Sequence, residues 1–191
     1  MNLYYTNTKI SQRSEYLISL LDSKERKRLL NSSSTRLMRR ISLIEMLFIL
    51  FGPSGVRNFR HNAEGKPFIG DSFMSVSYSD TRTFCAVSQK NIGIDAERMV
   101  AGKASALIPI FNNFYNSNIR DSFSFYKEWT RLESIVKYSG NASILSYIHK
   151  KIVHDNLITV FCLLNNDIIT AVSSEEEQMI IPIEIKYESN N

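Results

Sequence analysis

The stretch that decides the reading is "KNIGIDAERM", residues 90–99. Ile92, Gly93 and Ile94 form a short apolar run of the kind a buried strand uses. The run ends in two acids, Asp95 and Glu97, with one residue between them. Residues i and i+2 of a strand face the same side, so both carboxylates project together. About 6 to 7 Å apart, they repel unless a cation neutralises them. Oxygen-only donors suit Mg²⁺, Mn²⁺ or Ca²⁺ better than zinc. The plainer alternative is a strand end that reaches water.

On either side, hydrophobic patterning sorts the chain into helices and strands. Residues 3–8 read as a first strand. "LDSKERKRLLN" reads as a helix with Asp22 or Ser23 as its N-cap. "TRLMRRISLIEMLFILFG" is a strong amphipathic helix stopped by Gly52-Pro53, and residues 53–67 read as a polar turn region ending in "EGKP". "FMSVSYS" and "TFCAVS" read as a hairpin turning near Ser79-Asp80, with "NIGIDAE" as the next strand. After loop and helix over 98–120 comes a second strong helix, "FSFYKEWTRLESIVKYSG", ended by Gly140. "KIVHDN", "LITVFCLLNN" and "DIITAVSS" then read as strands with Asn-rich turns. The plan is an α+β chain whose two similar α/β halves, residues 1–97 and 98–191, suggest a weak internal duplication.

The 191 residues suffice for a sizeable core without disulfides or metal staples. Net charge is +4, which favours an anionic partner. Seven basic residues and one acid lie between Lys24 and Arg40. Cys85 and Cys162 sit in apolar runs and read as buried thiols. No basic and apolar leader opens the chain, and "ISLIEMLFILFG" is too short to span a bilayer. A cytoplasmic protein that does not engage membranes is expected. The basic run also admits a nucleic-acid-binding reading, but no nucleic-acid motif accompanies it.

On the second strong helix, Trp129, Glu133 and Lys137 stand four apart and share one face. An exposed Glu–Lys pair at this spacing is common and contributes about 0.3 kcal/mol. The alternative is a third carboxylate beside a phosphate-binding lysine.

"IGIDAE", with Glu133 following Glu97 by 36 residues in "WTRLESIVKYSG", resembles the paired signatures of the 4′-phosphopantetheinyl transferases. "EGKPFIGDSFMSVSYSD", "LDSKERKRLL" and "RRISLIEMLFI" extend the resemblance over residues 20–140. Chain length and the two halves resemble the larger, Sfp-type form, which implies that the two α/β halves form a pseudo-dimer. The resemblance implies transfer of the phosphopantetheine arm of coenzyme A to a carrier-protein serine, leaving 3′,5′-ADP. It implies Mg²⁺, or Mn²⁺ as the alternative, on Asp95, Glu97 and Glu133, with Glu133 as base and Lys137 on the leaving oxygens. It assigns coenzyme A contacts to Arg40, Lys66, Ser77 and Tyr78, and less sharply to Lys24, Lys27 and Arg28. Ser77 and Tyr78 match a Ser-His pair that touches the 3′-phosphate; tyrosine brings a hydrogen bond but no positive charge. Leu132 stands where a lysine is common. A monomer acting on an acyl or peptidyl carrier protein is expected, and a coenzyme A or carrier binder without turnover is the alternative.

Overall fold

The computed structural model describes residues 1–8, 12–140, 156–177 and 179–186. The strand expected at "KIVHDN" lies almost wholly outside them. Within them the order is β1 (Asn2–Asn7), α1 (Ser14–Leu20), α2 (Ser23–Leu30), α3 (Ser34–Arg57), β2 (Phe59–His61), β3 (Pro67–Ile69), β4 (Ser72–Ser79) and β5 (Arg82–Ser88). Then come β6 (Gly93–Arg98), α4 (Ala101–Tyr115), α5 (Ser122–Tyr138), β7 (Ile158–Leu164), β8 (Ile168–Ser174) and β9 (Ile181–Glu184). The fold is α+β. No described helix is long and apolar enough to cross a membrane.

Local chemistry explains most boundaries. Asp22 caps α2 by accepting the Glu25 N–H at 2.7 Å. Gly52, at φ 66° and ψ −165°, breaks α3 before Pro53. The polar turn expected over 53–67 is only partly so. Pro53 restarts helix to Arg57 because proline suits a first helical position, and Phe59–His61 then pair with β3. The β4–β5 hairpin turns at Asp80-Thr81, with Ser79 opposite Arg82. The β7–β8 turn places Asn165 and Asn166 at positive φ, which asparagine tolerates better than most residues. Cys85 is buried and Cys162 half-buried, both as free thiols.

Two sheets result, ordered β2-β3-β4-β5-β1-β9 and β6-β8-β7. Neither sheet follows chain order. β6 pairs with β8, while β9 returns to lie parallel to β1. Leu3, Phe84, Ile92, Ile94, Ile168 and Val172 fill one core between the sheets. The helices α1 to α3 cover the first sheet around Met46, Leu47 and Met74. The helices α4 and α5 cover the second around Phe111, Phe125 and Ile169.

The sheets are joined by three serines. Both edges of β4 are taken by β3 and β5, so β6 meets its face. The N–H groups of Ile94, Ala96 and Arg98 donate to the hydroxyls of Ser75, Ser77 and Ser79 at 2.9, 3.2 and 2.7 Å. Alternate strand residues share a face, so S-x-S-x-S matches the spacing of N–H groups along one edge. Removing one hydroxyl strands a buried donor, which costs about 1 to 3 kcal/mol. The Ser77→Ala variant is expected to unfold at correspondingly lower denaturant; an unchanged midpoint would contradict this account of the joint.

Candidate active site

Asp95 is the centre of the site and is buried in β6. Its Oδ1 accepts from the Ser77 hydroxyl at 2.8 Å and from Lys137 Nζ at 2.7 Å. Lys137 Nζ also reaches Ser77 Oγ at 3.0 Å. Ser77 therefore uses its one proton on Asp95 and accepts from both Ala96 and Lys137. The other Asp95 oxygen, Oδ2, is buried with no hydrogen-bond partner among the described residues.

Glu97 and Glu133 are half-buried. Burial first, then the Asp95 charge, pushes the Glu97 carboxyl up to about 7; Glu133 adds to the rise, while Lys103 and Lys137 oppose it. Burial and then Asp95 also raise Glu133, against Lys137. Glu97 senses both other acids and Glu133 senses Asp95, and the nearby lysines do not cancel these effects. As the side chains stand, no group of three His, Cys, Asp or Glu among the described residues is arranged to hold a metal ion. The donor chemistry still fits a hard cation: oxygen donors, surplus negative charge and an orphaned Oδ2.

The helix α5 brings Glu133 and Lys137 to this strand because Gly93 lets it approach. A Cβ on Gly93 would lie 1.9 Å from the Ser134 carbonyl oxygen. Trp129, one turn before Glu133 on the same face, packs on Phe125, with ring centroids 5.9 Å apart. Leu132 is buried in the α4–α5 core, so a cation at that position would not face the site from this conformation.

Beside Lys137 opens a cleft of about 370 Å³ between α2, α3, β4 and the loop before β3. Arg28, Arg40, His61, Lys66, Tyr78 and Lys137 line it. Ser77 does not; it lies with the acids instead. Arg40 Nη1 donates to the Arg28 carbonyl at 2.7 Å and to Ser32 Oγ at 2.6 Å, which fixes it against the end of α2. Lys66 Nζ donates to Asn91 Oδ1 and, at 2.9 Å, to the Tyr138 carbonyl. Burial lowers its pKa to about 8. Burial raises the Tyr78 phenol well above its usual range, so it stays protonated.

Two cleft residues carried no signal in the sequence. Glu25 is 3% exposed. It accepts from the His61 backbone N–H at 3.0 Å and pairs with His61 Nδ1 at 2.8 Å. In sequence Glu25 looks like the acid of a capping box that starts at Asp22. The tertiary fold instead turns its carboxylate to β2.

No protein-family model matches the chain. Among curated proteins it is similar to the 4′-phosphopantetheinyl transferase gsp of Aneurinibacillus migulanus, 34% identical over 93 residues, covering 43% of this chain and 38% of that protein. It is also similar to a 4′-phosphopantetheinyl transferase of Bacillus subtilis, 31% identical over 97 residues, covering 46% of this chain and 43% of that protein. The match spans less than half the length of either relative. The resemblance to the 4′-phosphopantetheinyl transferase superfamily thus stands on these similarities as well as on the motifs, and the α+β fold agrees with it.

Proposed function

We propose that the chain transfers the 4′-phosphopantetheine arm of coenzyme A to a serine of an acyl or peptidyl carrier protein, releasing 3′,5′-ADP. The observation that carries the reading is the cluster of Asp95, Glu97, Glu133 and Lys137 at the mouth of a basic cleft. Phosphoryl transfer needs positioning and charge neutralisation more than covalent help. Mg²⁺ on Asp95, Glu97 and Glu133 would neutralise the pyrophosphate and the charge that develops on it. Lys137 lies between the acids and the cleft and steadies the leaving oxygens. Glu133, with its carboxyl raised above the usual range, takes the proton of the incoming serine directly or through a water. Arg40, Lys66 and Tyr78 hold the coenzyme, and Ser77 positions Asp95 and Lys137. Asp95 and Glu97 precede the proposed 97/98 joint and Glu133 follows it, which supports a reading of the chain as two halves of a pseudo-dimer.

The test is a mass shift. Apo carrier protein, coenzyme A and Mg²⁺ are incubated with the protein, and the carrier is weighed. A gain of one phosphopantetheine arm is the expected result. No gain with several unrelated carriers, despite coenzyme A binding, would replace transfer with simple binding.

Lys66 gives the reading a pH signature. Its amine is charged below about pH 8 and neutral above it. A phosphate binds the charged form, so coenzyme A affinity should be flat below that pH and fall above it. Lys66→Arg stays charged and should lose this fall, while Lys66→Ala should raise the KM for coenzyme A about tenfold. An unchanged KM in Lys66→Ala would remove Lys66 from the coenzyme contacts.

A further inference from the structure

Buried Glu25 and half-buried His61 form a pair that takes no part in the proposed transfer. A carboxylate in the wall of a cleft meant for anions is costly unless it holds something in place. Glu25 holds His61 at two points, the backbone N–H and Nδ1. Phe59 packs edge-on against the imidazole, with centroids 5.0 Å apart. Asp22 adds an ion pair to Arg60 Nε at 2.8 Å, so the start of α2 is stapled to β2 on both sides of this contact. Nδ1 is spent on Glu25, which leaves Nε2 as the ring nitrogen for a ligand.

The surroundings match a phosphate monoester. Arg28 and Arg40 line the same cleft. Burial first, and then these two cations, oppose protonation of His61, while the Glu25 carboxylate favours it. Gly65, at φ +89°, keeps the turn clear of Arg28: a Cβ there would come within 3.3 Å of Nη2. Leu29, Ile44, Phe59 and Val76 form apolar walls beside these cations, suited to a purine base. Two guanidinium groups, and an imidazole that takes its second proton when it sits between the Glu25 carboxylate and a bound phosphate, offer the several charged donors that a dianion takes.

We propose that His61, oriented by Glu25, receives the 3′-phosphate of coenzyme A together with Arg28 and Arg40. His61 is a binding residue and Glu25 a positioning residue. The inference rests on the coenzyme A reading, but not on turnover.

The test compares binding of coenzyme A and 3′-dephospho-coenzyme A by calorimetry. His61→Asn keeps an amide donor near the place of Nδ1, and so the bond to Glu25, but removes Nε2. Its affinity for coenzyme A is expected to fall about tenfold or more, with dephospho-coenzyme A binding unchanged. His61→Gln puts its amide near the place of Nε2 and should retain more of the preference than His61→Asn. Glu25→Gln should lose part of it. Dephospho-coenzyme A binding reports folding in each variant. A purely structural clip would weaken both ligands in the same ratio, and that result, or an unchanged preference in His61→Asn, overturns the proposal. Wild-type protein that binds neither ligand overturns both this inference and the coenzyme A reading. Carrier left unmodified while the preference responds as expected removes transfer alone and supports this inference.

Discussion

Glu133→Ala is expected to reduce carrier modification on the order of a thousand-fold, leaving the fold intact. The size follows if, as proposed, Glu133 is a charged group that acts on the reacting phosphate in a partly buried site. The fold should survive because Glu133 is half-buried and lies in mid-helix, where alanine is the best helix former. Removing one of three repelling acids also relieves a cost, since Asp95 and burial both disfavour the Glu133 charge. The measurement is the initial rate of mass gain by the carrier, with thermal unfolding followed in parallel. Near-wild-type turnover in a folded variant would take Glu133 out of the chemistry.

Gly93→Ala is expected to have the largest effect on stability, about 3 kcal/mol or more. The added methyl would meet backbone atoms only: the Ser134 oxygen at 1.9 Å, the Tyr138 nitrogen at 2.4 Å and the Tyr138 Cα at 2.9 Å. No rotamer change can relieve that clash, so the whole of α5 must move away from β6. Glu133 and Lys137 move with it, and the 2.7 Å contact between Lys137 and Asp95 is lost. Denaturant unfolding and the transfer rate should fall together. A variant of unchanged stability would show that α5 does not lie this close to the strand.

The coincidence of these two predictions on one helix–strand contact shows what could be read in advance. The acids at Asp95 and Glu97 were legible because strand periodicity places i and i+2 together. Glu133 and Lys137 were legible as one helix face. Helix ends at Asp22, Gly52 and Gly140 followed from local chemistry that needs no distant partner. Strands β2, β3 and β9 were not read, being three or four residues long and too short for a period to show.

The role of the serines also needed the fold. "SVSYS" reads as an ordinary alternating strand, yet each hydroxyl takes an N–H from β6, and Ser77 carries Asp95 and Lys137 as well. Ser77 was expected among the coenzyme contacts, and it lies instead behind the acids, outside the cleft lining.

The sequence by itself determined the α+β class, the strong helices and the central strands, and it singled out the acidic and basic residues of the proposed site. These depend on periodicity, capping and turn chemistry, which act over a few neighbouring residues. Only the tertiary structure decided that β6 joins β8, that β9 returns to β1, and that Glu25 turns from its own helix to His61, 36 residues away. Such pairings depend on which faces are left to be covered and which buried polar groups remain unpartnered. Those quantities exist only once the chain has closed on itself.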